Sequence, residues 1–279
     1  MLRIDSHQHF WKYNAVRDSW ITDEMAIIRN DFLPLDLQTE MQGAGIGGCV
    51  AVQADQSEEE TQFLLSLAGE YSFIKGVVGW TDLCADDIGE RLQEYEKIKM
   101  IKGFRHILQG ETNQAYMLTP KFMKGIKKLR LFNFTYDILI LPDQLQYLPE
   151  LLQQNPEQKF VIDHLAKPDI KHNRTDDWKK RINLVARHPN VWCKISGLAT
   201  EAGWHSWQPE DLTPYFDIAW EAFGANRLMF GSDWPVCLVA TGYKEWVNVL
   251  ENYTATLSEA EKDNFWGKNA ASFYNLADL

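Results

Sequence analysis

The sequence predicts an α/β protein: a (β/α)8 TIM barrel formed as a single domain over residues 1–279, with further helices at its C-terminal end. Three observations predict it. Short apolar runs rich in β-branched and aromatic residues recur about every thirty residues, and eight can be counted. Helical patterns separate these runs, and strict alternation implies parallel strands joined by right-handed crossovers. The turn after the first run carries His7, Gln8 and His9 in place of a glycine-rich dinucleotide turn, which disfavours the open doubly wound sheet.

The strand candidates, in order, are Arg3–Phe10, Gly48–Ala54, Ile74–Asp82, Ile101–Leu108, Phe132–Ile140, Lys159–His164, Val191–Ser196 and Arg227–Asp233. Between them, Ser57 with Glu60 three residues on forms a capping box opening a helix through Leu67. Thr119 before Pro120 predicts an N-cap with proline at the first helical position. Phe122, Ile126 and Leu129 follow at helical spacing. Further helices are expected at Asp87–Ile98, Asp143–Gln153, Asp176–Arg187, Pro209–Phe223, Tyr243–Asn252 and Ser258–Phe273. Two long loops, Lys12–Asp31 and Ala199–Gln208, are candidate lids over a substrate.

Composition narrows the function. A net charge of -11 argues against nucleic acid or an anionic membrane as partner, and the basic run Lys124–Arg130 reads as a solvated helix face. Cys49, Cys84, Cys193 and Cys237 have no metal-binding spacing and read as free thiols, so a cytoplasmic location is the expectation. No run reaches the ~18 apolar residues of a membrane span. The 11 tryptophans, several in loops, favour a small-molecule pocket or a contact with a second subunit, so a homo-oligomer stays open.

In such a barrel the active site lies at the carboxyl ends of the strands. Along an extended strand, alternation puts His7 and His9 on one face with Asp5, and Ile4 and Phe10 on the other. Alone, such a pair could be merely half exposed. Other strand ends add Trp80, Arg105 and His106, Asp163 and His164, Lys194, and Asp233 with Trp234. So many costly polar groups converging on one mouth favour a site over a scaffold. Arg105 and His106 each keep two readings, substrate contact or a buried ion pair with Asp137 or Asp163. Trp80 reads equally as packing or sugar contact, and His205 as a surface residue. Asp163 alternates away from His164 and takes a supporting role, as does Asp5.

The phrases IDSHQHFW, GFRHILQ, IDHLAKP, CKISGL, MFGSDWPV and NAASFY span residues 4 to 274. They resemble the amidohydrolase superfamily, and within it the branch holding sugar lactonases and pyrone-dicarboxylate lactonase. The resemblance implies metal-type positions at His7, His9, His164 and Asp233, with Asp233 as general base. A binuclear site would need a carboxylated lysine on the fourth or fifth strand. The fourth offers Arg105 and His106 instead, so one divalent ion such as zinc, or none, is expected. The implied activity is opening of a sugar lactone to its hydroxy acid by attack of activated water. Arg105, His106, Lys194, Trp80 and Trp234 are the expected substrate contacts, and His164 assists catalysis. Two alternatives use the same barrel: a zinc-dependent decarboxylase of an aromatic acid, and a non-catalytic sugar-binding protein.

Overall fold

The computed structural model describes residues 2–277. Eight parallel strands follow one another in chain order around a single sheet: β1 (Ile4–Gln8), β2 (Gly48–Val52), β3 (Ile74–Gly79), β4 (Ile101–Ile107), β5 (Thr135–Leu139), β6 (Phe160–Ile162), β7 (Val191–Ile195) and β8 (Leu228–Phe230). The cylinder closes where β1 runs past the exit of β8. There His9 N–H donates to Trp234 O at 2.7 Å and Asp233 N–H to His7 O at 2.8 Å. Each predicted strand contains an observed one, and the (β/α)8 barrel is the fold.

Outside the cylinder stand α1 (Pro34–Gly43), α2 (Glu58–Glu70), α3 (Ile88–Glu96), α4 (Pro120–Leu131), α5 (Leu148–Gln154), α6 (Asp176–Ala186), α7 (Pro209–Phe223) and α8 (Tyr243–Thr254). The main core lies between them and the strands. A second cluster fills the barrel, where Ile4, Val50, Val52, Val78, Val161 and Met229 point inward. Its lower end is closed by Phe273 and Tyr274 of α10 (Asn269–Tyr274), which follows the short helix α9 (Glu259–Asp263). The C-terminal helices therefore plug the barrel at the end away from the catalytic mouth.

Local chemistry explains most boundaries. Ser57 Oγ accepts from Glu60 N–H at 3.2 Å, and Ser258 and Glu261 cap each other reciprocally. Thr119 precedes α4 as expected, but its side chain makes no capping bond. The lysines of α4 at 124 and 127 are exposed, as a solvated face requires. Helix α1 is absent from the sequence reading, although Pro34 at its first position and Asp36, which accepts from Leu33 N–H at 2.9 Å, are ordinary start signals. The helix expected at Asp143–Gln153 is split into a 3-10 turn, Pro142–Tyr147, and α5. Pro149 has no N–H to donate back across that junction. The segment expected as Ser258–Phe273 is likewise interrupted by a π turn at Asn264–Lys268. Among the described residues, no helix is long and apolar enough to cross a membrane.

Candidate active site

The first strand does not alternate evenly. Its register against β2 slips between Asp5 and Gln8, and a bulge of this kind moves the following side chains to the other face. Ile4 packs inside the barrel, while Asp5 points outward and accepts from Ser232 N–H at 2.9 Å, Tyr243 Oη at 3.1 Å and His7 N–H at 3.1 Å. After the slip His7 and His9 point inward and Phe10 joins the outer core. The expectation that Asp5 shares the face of His7 is thus corrected. Its supporting role holds: it staples β1 to the loop after β8, and burial pushes its carboxyl up to about 6.

The exit of β6 is also irregular. His164, Leu165, Ala166 and Lys167 all take left-handed backbone, with φ of 55°, 51°, 58° and 51°. Each such non-glycine residue costs about 1 kcal/mol or more. Strand alternation therefore fails here, and Asp163 and His164 both face the barrel mouth. Asp233 is left-handed as well, with φ 60°, so two of the four inward acid and imidazole groups are held by strained backbone.

Four side chains meet. Asp233 Oδ1 lies 3.3 Å from His9 Nε2, 3.8 Å from His7 Nε2 and 3.8 Å from His164 Nε2. The Nε2 atoms of His7 and His9 are 3.2 Å apart. Their outer nitrogens are committed elsewhere. His9 Nδ1 is 2.7 Å from Val52 O, which can only accept, so Nδ1 carries the proton and Nε2 presents a lone pair. His7 Nδ1 lies 3.2 Å from Asp163 Oδ1 and 3.1 Å from Lys194 Nζ, and His164 Nδ1 is 2.9 Å from Ser196 Oγ. Burial drives His7 well below its ordinary value against the pull of Asp163, and drives His164 down to about 4. Burial opposes ionisation of Asp233, yet its closeness to His164 and His9 holds it below the usual carboxylate range.

Neutral imidazoles with lone pairs facing an ionised carboxylate are the protonation states a divalent cation requires. His7, His164 and Asp233 bring one ligand atom each to within 4.8 Å of one another, and His9 Nε2 stands beside His7 and Asp233. Every imidazole also has an outer partner of the kind that orients metal ligands. The donor set fits one divalent cation. On its barrel side the cluster is backed by further buried side chains of the chain itself.

Those side chains are Lys194, Arg105, Asp137 and Asp163. Lys194 Nζ lies 2.5 Å from Asp137 Oδ2 and 3.0 Å from Asp163 Oδ1, all three side chains fully buried. Arg105 Nη1 donates to Asp163 Oδ2 at 3.0 Å and stands 3.3 Å from His7 Nε2. Tyr274 of the C-terminal plug donates to Asp137 at 2.7 Å. For Asp163, burial is outweighed by Lys194, His7 and Arg105, which hold it well below the ordinary carboxylate value.

Above the cluster opens a cavity of about 630 Å³. Polar groups on its wall are His9, Arg105, Gln109, His164, Lys167, Thr200, Glu201 and Asp233, and Trp11, Trp20 and Trp204 supply aromatic surface. Both predicted lid loops contribute. Of the residues expected to touch substrate, Arg105 lines the cavity and its Nε has no partner among the described residues. Lys194 lies beneath the cluster rather than in the cavity. His106, one residue on from Arg105, faces outward by strand alternation, pairs with Glu111 at 2.7 Å and stacks on Tyr116. Trp234 is buried against Phe10 and Phe32, and Trp80 lies outside the cavity wall. His205 lines a neighbouring cleft. Gln109, whose Oε1 is buried without a partner among the described residues, Lys167, Glu201 and Trp11 were not assigned to the cavity from the sequence.

Comparison with known proteins agrees with this geometry. The chain is 39% identical to L-fucono-1,5-lactonase of Burkholderia multivorans over 288 residues, covering 99% of this chain and 97% of that one. It is 34% identical to L-fucono-1,5-lactonase of Burkholderia ambifaria, covering 98% and 96%. A crystal structure of an amidohydrolase from Burkholderia multivorans with bound zinc superposes with a TM-score of 0.96 at 38% identity, covering 99% of this chain and 100% of that one. The sequence profile of the amidohydrolase family matches residues 4–276, and the chain belongs to that family.

Proposed function

We infer that the protein hydrolyses a sugar lactone, opening an aldono-1,5-lactone to its hydroxy acid. The observation that carries the reading is the convergence of Asp233 with three imidazoles beneath a cavity that holds a hexose-sized ring. Lactonases align with the whole chain at 39% and 34% identity, which favours ester chemistry over decarboxylation on the same barrel.

Asp233 takes the proton of an attacking water as general base. The outer partners of His7, His9 and His164 keep the three imidazoles turned towards that water. His7, His9, His164 and Asp233 would hold a divalent cation, zinc being the expected one, which when bound would lower the water's pKa towards ~7 and polarise the carbonyl. Arg105, pinned by Asp163 and by the Gln53 carbonyl, puts a fixed positive charge on the cavity wall, where it stabilises negative charge developing on the carbonyl oxygen. Trp11, Trp20 and Trp204 exclude water and cover the apolar face of the ring. The whole chain acts as one catalytic domain, and its four free cysteines suit the reducing cytoplasm.

The test is a panel of hexono- and pentonolactones, L-fucono-1,5-lactone among them, followed by proton release. Asp233→Asn keeps the side chain's size and removes the base. Turnover is expected to fall by 10³-fold or more while the folded protein remains. Unchanged turnover in the variant, or no lactone opened by the natural enzyme, defeats the reading.

A further inference from the structure

Strand β3 leaves the sheet before its neighbour β4 does. Its register pairs Val78 with Val52 of β2 and Gly79 with Phe104 of β4. Trp80 then turns towards α2, where Thr61 Oγ1 accepts from Trp80 N–H at 2.8 Å and donates to Trp80 O at 2.8 Å. Beyond Phe104, β4 has therefore lost its partner on that side, and two glutamines of the loop after β2 take the place. Gln53 Nε2 donates to Arg105 O at 3.0 Å, and Gln56 Oε1 accepts from Ile107 N–H at 2.7 Å. The first of these bonds is returned, because Arg105 Nη2 donates to Gln53 O. The side chain of each residue thus holds the main-chain carbonyl of the other. Gln53 is 0% and Arg105 3% exposed, so solvent does not compete for either bond.

We propose that Gln53 is a positioning residue for the charge of Arg105, an inference that rests on the lactonase reading. Arg105 lines the cavity, and Gln53 lies off its wall. The guanidinium is gripped at both ends: Nη1 donates to Asp163 Oδ2 at 3.0 Å, from the exit of β6, and Nη2 to Gln53 O, from the exit of β2. This grip sets Nη1 3.3 Å from His7 Nε2, beside the reacting cluster. Gln53 N–H in turn donates to Val78 O at 2.9 Å, so the carbonyl that receives Nη2 is itself fixed by β3. With Asp163 as its only anchor the planar fork could swing away from the cluster. Without the Gln53 carboxamide, Arg105 O also loses its partner, and backbone and head group loosen together. A charge held in place beforehand costs no reorganisation when negative charge grows on the carbonyl oxygen. Its effect falls on the transition state rather than on the bound lactone, so kcat carries it and KM does not.

The test is a double-mutant cycle on the full chain, read as hydrolysis of L-fucono-1,5-lactone. Gln53→Met keeps the length of the side chain and removes both ends of the carboxamide. It is expected to lower kcat about 10-fold with little change in KM, and Arg105→Met to lower kcat about 10²-fold. Because Gln53 acts through Arg105, adding Gln53→Met to Arg105→Met is expected to cost no more than about twofold further, whereas independent losses would multiply to about 10³-fold. A side chain that only braced the sheet would lower the melting temperature by the same amount in both backgrounds and leave the losses in kcat independent. Gln53→Asn, too short to reach Arg105 O, and Arg105→Lys, which lacks the fork, serve in place of a variant that does not fold, with the same non-additivity expected. Losses that multiply, a loss confined to KM, or full kcat in either single variant overturn the assignment. Asp233→Asn, measured alongside, reports separately on the lactonase reading, since unchanged turnover there defeats that reading and not the coupling of Gln53 to Arg105.

Discussion

Lys194 Nζ and Asp163 Oδ1 lie 3.0 Å apart with both side chains fully buried, although 31 positions separate the residues in the chain. The same ammonium reaches Asp137 Oδ2 at 2.5 Å, and Arg105 supplies the second cation at 3.0 Å from Asp163. Two cations and two carboxylates balance inside the barrel. Burial raises Asp137 to about 6 against the pull of Lys194.

Removing one member of such a network leaves a buried charge uncompensated. Lys194→Met keeps most of the volume and removes the charge, and is expected to cost about 3–5 kcal/mol. Urea unfolding at pH 7 measures it. A loss below ~1 kcal/mol would mean that Arg105 alone neutralises both carboxylates.

Ser196 touches no substrate, yet it holds His164 Nδ1 at 2.9 Å. Without that partner the imidazole can rotate or change tautomer. Ser196→Ala is therefore expected to weaken zinc binding 10–100-fold, read by competition with a chromophoric chelator, while the melting temperature moves by a few degrees at most. Affinity unchanged in the variant would show that packing alone fixes the ring.

Gly197 is the tightest point of the site. Its φ is +65°, and a Cβ there would come within 2.7 Å of His164 Nδ1 and 2.8 Å of Asp233 Oδ2. Gly197→Ala must both strain the backbone and push those two groups apart. We expect lactone turnover to fall by 10²-fold or more with a stability loss of about 1–3 kcal/mol. A variant with normal kcat would show that the two side chains can move without consequence.

The fold was legible because strand and helix periodicities differ and alternate without exception. Those rules reach as far as the regular strands. Alternation along β4 turns Arg105 inward and His106 outward, against Tyr116 and Glu111, so the expectation that both adjacent residues touch substrate overlooked that parity. The rules themselves failed at two places. The bulge between Asp5 and Gln8 and the left-handed run His164–Lys167 contain no glycine or proline to announce them. Tertiary contacts hold both against local preference, and Asp163 was misplaced for that reason. Charge partners were equally hidden, since nothing in one dimension says that Lys194 serves Asp137 and Asp163 rather than the cavity. The convergence of His7, His164 and Asp233 was legible because in a barrel the exits of distant strands meet at one mouth, whatever the local parity.

Glu60 lies outside the cluster, in the first turn of α2, and is only 5% exposed. It accepts from Ala54 N–H at 3.1 Å, just behind the cavity wall. Burial raises its carboxyl to about 7, with the Ala54 hydrogen bond and the charge of Arg17 opposing. The unfolded carboxyl loses its proton near 4.5, so between that value and about 7 the unfolded state binds fewer protons than the folded one. Stability accordingly falls as pH rises through this window and levels off above it, by on the order of 3 kcal/mol in total. Glu60→Gln keeps the acceptor for Ala54 and cannot ionise. It is expected to match the natural protein in urea unfolding near pH 4.5 and to exceed it in stability at pH 8. A difference between the two proteins that does not change with pH would show that Glu60 is ionised throughout in the folded state.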